Sequence, residues 1–473
     1  MAVGALGDGG RITVVNPATG EAVDVVSADS AATVAAKVRA AALAQPAWAA
    51  RKVGERVAIL ARFRDLLGEA QERLATLLTT EMGKPIAQAR SEIGALGPRI
   101  DFFLETVPKL SEAEVVSRAA QAGETEELIR YEPLGVVAHI SAWNYPYFVS
   151  SNVFVPALLT GNAVVYKPSE LTPKTGLAIA ELLHEAGVPV DVFVPLIGDG
   201  RVGAALLAQP VNAVCFTGSH ATGLRVAEAV AGKLLGPLGG RLQLELGGKD
   251  PAYVCDDADP VSAAAALADG AFYNTGQSCC SVERIYVHAA CAEAFIEAFV
   301  ETVRGFRVGD PLDPETYIGP LAREAQLREL EAQVSDAVAL GATLRLGGKA
   351  REGKGFYFEP TVLTNVLPSM RVMQQESFGP IIGIQVVADD EEAIALMNAT
   401  EYGLTASVFS GDRARAEGIL ARVHSGTGYW NCCDRVSARV PWSGRNASGI
   451  GATLGHAGIR AFQAPKAYHL RLP

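Results

Sequence analysis

The stretch Gly276-Gln277-Ser278-Cys279-Cys280 contains two adjacent cysteines, and a thiolate at this point could act as a nucleophile. Most cysteines in proteins are small buried apolar residues, so a thiol alone is weak evidence for catalysis. Neighbouring residues of an extended segment face opposite ways, and we expect only one of Cys279 and Cys280 to reach a cleft. A thiolate that attacks a carbonyl carbon also needs a donor for the developing oxyanion.

Two distant segments supply the groups that such a nucleophile needs. Asn144, within Trp143-Asn144-Tyr145-Pro146, offers an uncharged amide donor for an oxyanion. Glu245, at the end of a predicted strand, offers a carboxylate that could activate water to hydrolyse a thioester. The three residues together predict covalent catalysis on an acyl group.

Two glycine-containing turns lie where a predicted strand meets a predicted helix, a setting in which nucleotide phosphates bind. Gly198-x-Gly200-x-x-Gly203 matches the dinucleotide fingerprint, although a tight turn without phosphate contact explains the glycines equally well. Thr217-Gly218-Ser219 precedes the next helix, where backbone N–H groups could bind a pyrophosphate or Ser219 could simply cap the helix.

Lys167 and Glu170 follow a predicted strand and could hold an adenine ribose. The carboxylate can accept from both ribose hydroxyls, and the lysine can donate to them. Because the carboxylate of Glu170 would repel a 2′-phosphate, the pair predicts NAD rather than NADP.

The elements that carry these residues follow a strand–helix alternation. After a helical layer over residues 30–104, one run is predicted from residue 163 to 245 and a second from 252 to 398. Such alternation forms parallel sheets with helices on both faces, and ligands bind at the carboxyl ends of the strands. We therefore predict two α/β domains with the site in the cleft between them.

A long uncharged segment covers residues 133–166. Polar residues, prolines and a glycine interrupt it, so we predict a buried strand, turn, helix and strand rather than a membrane span. Residues 124–142 resemble two strands joined by a turn at Pro133-Leu134-Gly135. His139 lies in this apolar region, and we expect a buried histidine with its hydrogen bonds satisfied rather than a catalytic one.

The composition excludes several classes of protein. The chain has 473 residues with a formal net charge of −11, which argues against a surface for nucleic acid or anionic membrane. Its seven cysteines include two adjacent pairs and no C-x-x-C spacing, which indicates reduced thiols rather than disulfides or a zinc site. The start at Met1 lacks a basic stretch followed by an apolar one, so no leader is predicted.

Over nearly its whole length the chain resembles the hydrolytic, NAD(P)-dependent members of the aldehyde dehydrogenase superfamily, whose motifs it contains in the family's order. The family motifs W-N-[FY]-P, K-P-[SA]-E, F-T-G-S-x-x-x-G, E-L-G-G-K, G-Q-x-C and E-x-F-G-P match residues 143–146, 167–170, 216–223, 245–249, 276–279 and 376–380. The resemblance implies that Cys279 rather than Cys280 is the nucleophile, that Asn144 stabilises the oxyanion and that Glu245 is the general base. It implies no metal.

The resemblance also implies a nicotinamide cofactor, NAD or NADP, and the carboxylate of Glu170 makes NAD the expected one. The segment from residue 376 to 380 would hold the nicotinamide ribose. The predicted cofactor-binding residues are Ser141, Trp143, Lys167, Ser169, Glu170, Gly200, Gly203, Phe216, Gly218, Ser219, Thr222, Leu246, Glu376 and Phe378.

The implied fold is α/β and aldehyde-dehydrogenase-like, with two doubly wound Rossmann-like domains and a small β oligomerisation arm. We predict residues 1–123 and 143–246 as the cofactor-binding domain and residues 247–451 as the catalytic domain. Residues 124–142 and 452–473 are predicted to form the arm of a homodimer or homotetramer. The expected setting is cytoplasmic, with a small-molecule aldehyde as substrate, no nucleic acid and no membrane span.

The chain departs from the family near the acyl entrance. The common P-F-G-G-x-K is Pro441-Trp442-Ser443-Gly444-Arg445-Asn446, and the common G-R-E is Gly451-Ala452-Thr453. The substrate therefore does not follow from the resemblance. Apolar and aromatic residues are our candidates for the entrance, with ordinary packing as an equal alternative: Tyr147, Phe148, Cys433, Val436 and Trp442.

Such an entrance would suit an aromatic or a medium-to-long aliphatic aldehyde. Arg435, Arg439 and Arg445 lie nearby in sequence and keep a dicarboxylic semialdehyde open as substrate. Three other hypotheses for the function stay open: a relative that passes the acyl group to CoA or phosphate, a cysteine-dependent esterase, and a non-catalytic structural member of the fold. Glu245 disfavours the CoA type, and the nucleotide features disfavour the esterase.

Overall fold

Two sheets of mainly parallel strands carry most of the chain. The computed structural model describes residues 10–236 and 239–473. The start of the chain, for which no leader was predicted, lies outside the described residues, as do the first nine residues of the predicted cofactor-binding domain.

The amino-terminal part is a β-hairpin followed by helices. Its elements are β1 (Arg11–Asn16), β2 (Glu21–Ser27), α1 (Ala31–Ala49), α2 (Val53–Glu69), α3 (Gln71–Met82), α4 (Ile86–Gly94) and α5 (Leu96–Leu110). The apolar side chains of one face of α2 are buried: Leu60, Phe63, Leu66 and Leu67. α5 begins at Leu96, and Pro98 lies in its first turn, where its missing N–H breaks no helical bond.

The middle of the chain alternates strands and helices. Its elements are β3 (Glu114–Ser117), β4 (Thr125–Pro133), β5 (Val136–Ile140), α6 (Pro146–Leu159), β6 (Ala163–Lys167), α7 (Pro173–Ala186), β7 (Phe193–Pro195), α8 (Gly200–Leu207), β8 (Ala213–Thr217), α9 (His220–Val230) and β9 (Leu242–Glu245). The predicted strand–helix run from residue 163 to 245 is therefore confirmed.

The remaining chain repeats the alternation and ends in a long strand. Its elements are β10 (Asp250–Val254), α10 (Pro260–Phe272), β11 (Val282–His288), α11 (Ala292–Arg304), α12 (Glu324–Ala339), β12 (Thr343–Leu346), β13 (Thr361–Thr364), α13 (Arg371–Gln374), β14 (Ile381–Val387), α14 (Asp390–Met397), β15 (Thr405–Phe409), α15 (Arg413–Leu420), β16 (Thr427–Trp430), β17 (Gly449–Ile450), α16 (Gly455–Arg460) and β18 (Gln463–Arg471).

The first sheet has six strands in the order β17-β9-β8-β5-β6-β7, and every pair is parallel except β17 with β9. The chain runs outward from β5 to β6 and β7, then returns to the other side of β5 and forms β8 and β9. The strand order therefore reverses between β5 and β8, and a crevice is expected outside the carboxyl ends of these strands.

The second sheet has seven strands in the order β12-β13-β14-β11-β10-β15-β16, and only the β12–β13 pair is antiparallel. Successive side chains of β10 enter different cores: Ala252 and Val254 pack on one face, and Tyr253 packs on the other. Both faces of the sheet are therefore covered, which confirms the predicted doubly wound arrangement.

A third, antiparallel sheet has the order β18-β4-β3, and β18 pairs with β4 from Gln463↔Pro133 to Arg471↔Thr125. The prediction that residues 124–142 form a two-stranded part of this arm is wrong for Val136–Ile140. That strand, β5, is paired on both sides in the six-stranded sheet. All five of its residues are buried, which suits a central parallel strand and not an exposed arm.

The uncharged segment folds as predicted, as β5, α6 and β6 with turns between them. Within the described ranges, no helix combines the length and the apolar character that crossing a membrane requires. His139 in β5 is fully buried against the Tyr166 ring, and neither ring nitrogen has a hydrogen-bond partner. The expectation of a satisfied histidine is therefore wrong; burial lowers the pKa of His139 to about 3, so the ring is neutral.

Candidate active site

A cavity of about 1030 Å³ opens where the strand order of the first sheet reverses. Its walls come from the carboxyl ends of β5, β6, β8 and β9 and from residues 376–378. Asn144, Glu245 and Cys279 line it. So does every predicted cofactor-binding residue: Ser141, Trp143, Lys167, Ser169, Glu170, Gly200, Gly203, Phe216, Gly218, Ser219, Thr222, Leu246, Glu376 and Phe378.

The turn before Cys279 has a conformation that most residues avoid. Asn274, Thr275 and Gly276 have φ angles of 55°, 61° and 68°. This is the left-handed region, which costs energy for residues with a Cβ. At Gly276 a Cβ would also lie 2.3 Å from the Gly379 carbonyl oxygen. The three residues reverse the chain after α10 and present Cys279 to the cavity.

The two adjacent cysteines have different surroundings. Cys279 lines the cavity, whereas Cys280 is buried and its Sγ donates to Asp434 Oδ1 at 2.9 Å. A hydrogen bond with Cys279, burial and the Asp434 carboxylate raise the pKa of Cys280 well above its ordinary value. The expectation that only one of the pair reaches the cleft is confirmed, and that residue is Cys279.

Asn144 lies between β5 and α6, and its side chain faces the segment that carries Cys279. Asn144 Nδ2 donates to Gln277 O at 3.1 Å. Asn274 Nδ2 donates both to Asn144 O, at 3.2 Å, and to Gln277 O, at 3.0 Å. An amide NH₂ has two N–H groups, so the second remains for an acceptor in the cavity.

A buried ion pair holds the start of α6, two residues after Asn144. Glu92 Oε1 accepts from the backbone N–H groups of Tyr147, at 3.0 Å, and Phe148, at 3.2 Å. A carboxylate is stabilised at a helix amino terminus by these unpaired N–H groups and by the helix dipole. Lys84 Nζ donates to the other oxygen of Glu92, and neither side chain is exposed. Sequence reasoning missed this pair, because its members come from separate elements.

Glu245 ends β9, and Thr453 Oγ1 donates to its Oε1. Gln243 Nε2 lies 3.4 Å from the same oxygen. Burial raises the pKa of Glu245 to about 7, and the Thr453 hydrogen bond and the Arg99 guanidinium partly offset that rise. A carboxyl group with such a pKa is suited to proton transfer at neutral pH. No role was predicted for Thr453. The available signal was that Gly451-Ala452-Thr453 replaces the family's common G-R-E.

Residues 376–378 are held against the cavity by a buried ionic network. The two oxygens of Glu283 accept from two backbone N–H groups of this segment, at 2.8 and 3.0 Å. Lys249 Nζ donates to Glu283 at 2.7 Å. The segment approaches so closely that a Cβ on Gly247 would lie 2.2 Å from Glu376 Oε1. Glycine at position 247 is therefore required by the approach of this carboxylate.

The other end of the cavity contains Lys167 and Glu170, whose charged groups lie 3.9 Å apart. Ser219 caps α9 and also lines the cavity, so the capping role does not exclude a phosphate there. Asp199 caps α8 through the N–H of Arg201, which favours the tight-turn interpretation of the first glycine motif. The volume of the cavity, the start of α9 and the lysine–glutamate pair fit a dinucleotide.

The predicted entrance residues separate into two groups. Tyr147, Cys433 and Trp442 are buried in the cores, which favours the packing alternative for them. Phe148 and Val436 are partly exposed, although none of the five lines the large cavity. The arginines that kept a semialdehyde open are exposed: Arg435, Arg439 and Arg445.

Comparison with known proteins gives one consistent result. A sequence model described as "Aldehyde dehydrogenase family" matches residues 6–468. The chain is 38% identical to betaine aldehyde dehydrogenase of Cereibacter sphaeroides, over 98% of this chain and 94% of that protein. It is 40% identical to a Mycobacterium tuberculosis protein provisionally named succinate-semialdehyde dehydrogenase [NADP(+)] 2, over 93% of this chain and 85% of that protein. The crystal structure of an NAD-dependent aldehyde dehydrogenase from Sinorhizobium meliloti superposes with a TM-score of 0.93 at 35% identity, over 98% of this chain and 92% of that one.

Proposed function

The chain belongs to the aldehyde dehydrogenase family, whose members oxidise aldehydes with NAD(P), and we propose that it forms a carboxylic acid through a covalent intermediate on Cys279. The observation that carries the proposal is that Cys279, Asn144 and Glu245, far apart in sequence, line one cavity. The predicted cofactor residues line the same cavity, which supports the proposed roles of the three residues as nucleophile, oxyanion donor and base.

The first step is addition of Cys279 Sγ, as the thiolate, to the aldehyde carbon. The electron pair of the C=O bond moves to oxygen, and the resulting oxyanion accepts hydrogen bonds from Asn144 Nδ2 and the Cys279 backbone N–H. Asn144 is suited to this role because Gln277 and Asn274 already orient it beside the nucleophile segment. A preorganised donor stabilises the charge without reorganisation during the step.

When bound, the nicotinamide cofactor supplies the hydride acceptor that converts this adduct into a thioester. Lys167 and Glu170 would hold its adenine ribose, the start of α9 its phosphates and Glu376 its second ribose. Glu245 then removes a proton from water, the water oxygen bonds to the acyl carbon, and the C–S bond breaks to release the acid and the thiolate. A glutamate with a pKa of about 7 can take that proton at neutral pH.

The test is a burst experiment with the purified chain, NAD⁺ or NADP⁺ and a panel of short, long-chain, aromatic and carboxylated aldehydes. Glu245→Gln should release one equivalent of NADH per active site and then stop, because acylation survives and hydrolysis does not. Cys279→Ala should give no burst. Normal steady-state turnover in the Glu245→Gln enzyme would contradict the role of the base, and no NADH with any aldehyde would contradict the function.

NAD is the proposed cofactor, with NADP as the less expected one. The side chain of Glu170 reaches the cavity and would repel the 2′-phosphate of NADP. Relatives and structural neighbours include enzymes named for either cofactor, so the argument rests on this carboxylate. Glu170→Gln should narrow the preference for NAD⁺ over NADP⁺, measured as the ratio of kcat/KM values. An unchanged ratio would refute the assignment.

The partly exposed Phe148 and Val436 suit an aromatic or medium-to-long aliphatic aldehyde. A semialdehyde is the second candidate, and the observation that favours it is a buried arginine that contacts both of these residues. No observation favours acyl transfer to CoA or a non-catalytic role.

The three-part organisation is also a proposal: residues 1–123 and 143–246 bind the cofactor, and residues 247–451 carry the nucleophile. Two strands are reassigned within these bounds: β3 joins β4 and β18 in the arm, and Val136–Ile140 joins the cofactor sheet. β3 and β18 are the edges of the arm, and an unpaired edge can extend across a subunit boundary. We expect a homodimer or homotetramer. A monomer mass measured by light scattering would contradict this expectation. All seven cysteines are free thiols, which favours a reducing compartment such as the cytoplasm.

A further inference from the structure

One arginine is buried beside the candidate acyl entrance without an acidic partner. Arg99 projects from α5, and only 4% of its surface is exposed. Its Nη1 donates to Asn152 Oδ1 at 2.6 Å, and its Nη2 donates to the Val436 carbonyl oxygen at 2.9 Å. Its guanidinium lies over the Phe148 ring, 3.5 Å from the centroid. These contacts join α6 to the segment that follows β16.

No ion pair to this guanidinium is found among residues 10–236 and 239–473, although its charge interacts at longer range with that of Glu245. Its contacts are two neutral oxygens and a ring, and its Nε is buried with no hydrogen-bond partner. A buried charge without an ion-pair partner is costly, and an incoming carboxylate would supply that partner. An arginine fork also fits the planar geometry of a carboxylate.

Arg99 does not line the large cavity, but two of its contacts lie on α6, the helix that follows Asn144. Phe148 and Asn152 lie one and two helical turns beyond Asn144. Arg99 also interacts electrostatically with Glu245. Asp434, an acidic residue in the segment after β16, does not pair with Arg99. It accepts hydrogen bonds from Cys280 Sγ at 2.9 Å and Ser278 Oγ at 3.4 Å. The charged group in contact with Phe148 and Val436 is therefore the positive guanidinium of Arg99.

We propose that Arg99 recognises a carboxylate at the far end of the aldehyde substrate. The substrate class is then an aldehyde that also carries a carboxylate, aliphatic or aromatic, with the guanidinium at one end and Cys279 at the other. This inference rests on the proposed function and narrows its substrate class. It assigns recognition to the buried Arg99 rather than to the exposed arginines of the following loop.

The test compares aldehydes of matched size, with and without the carboxylate: 4-oxobutanoate against butanal, and 4-carboxybenzaldehyde against 4-methylbenzaldehyde. The wild-type enzyme should prefer the carboxylated member of at least one pair by kcat/KM. Arg99→Met should reduce that preference about 10- to 100-fold, the value of charge-assisted hydrogen bonds to a carboxylate. Arg99→Lys should retain part of the preference, because it keeps the charge and loses the fork.

Lys109→Met removes an exposed cation from the same helix and is the matched control. Three results would overturn the proposal: no preference in the wild-type enzyme, equal loss for both members of a pair in Arg99→Met, or loss of the preference in Arg439→Met but not in Arg99→Met. Equal loss would mean that Arg99 only holds the loop, and a shifted pH profile with an unchanged preference would mean that it only adjusts Glu245. Failure of every aldehyde with the wild-type enzyme would instead refute the proposed function.

Discussion

Replacing Thr453 by valine tests how Glu245 is kept ready to act as a base. Thr453 is fully buried, and its hydroxyl donates to Glu245 Oε1. Valine has nearly the same shape but no hydroxyl, so the change removes the hydrogen bond and leaves little new space. The substitution therefore acts on the protonation of the carboxyl group more than on packing.

The expected effect follows from the pKa of about 7 that burial produces at Glu245. A hydrogen bond to a charged acceptor contributes about 1.5–3 kcal/mol, and about 1.4 kcal/mol of preference for the ionised form corresponds to one pKa unit. At the lower end of that range, losing the hydrogen bond moves the pKa of Glu245 by about one unit, from about 7 to roughly 8. Because the base works only when ionised, its active fraction at pH 7 should fall from about one half to about one tenth.

The assay separates acylation from hydrolysis. The NADH burst reports acylation and should keep its amplitude in Thr453→Val, whereas steady-state turnover should fall about fivefold at pH 7 and recover near pH 9. Thr453→Ser restores the hydroxyl and should return the pH profile toward that of the wild-type enzyme. The reasoning is refuted if the rising limb of the profile stays in place, or if the burst falls as much as the steady-state rate.

Other predictions concern the nucleophile and its support. Cys279→Ala should abolish NADH formation while Cys280→Ala, which alters a buried thiol, should stay active; the reverse pattern would move the nucleophile by one residue. Glu92→Gln removes the ion-pair partner of the buried Lys84 and should lower the free energy of unfolding by about 3–5 kcal/mol in urea titrations. An unchanged unfolding midpoint would show that the Lys84–Glu92 pair does not hold the start of α6.

Local sequence patterns were sufficient where the determining interactions are close along the chain. The strand–helix runs and the buried segment over residues 133–166 follow from residue types a few positions apart. They failed for Val136–Ile140, because two neighbouring strands joined by a short turn can pair with each other or enter different sheets. The partner strands β6 and β8, and not the turn, decided the outcome.

Residue types identify which residues could carry the chemistry, since a thiol, an amide and a carboxylate are properties of side chains. The surroundings of these residues are set by contacts that form on folding. Thr453 meets Glu245 through the pairing of β17 with β9, and Arg99 meets Val436 across two separate elements. Such contacts leave no periodic trace in the chain, because burial and charge pairing depend on which surfaces meet after folding. The pKa of the base and the sign of the charge at the entrance are therefore properties of the fold.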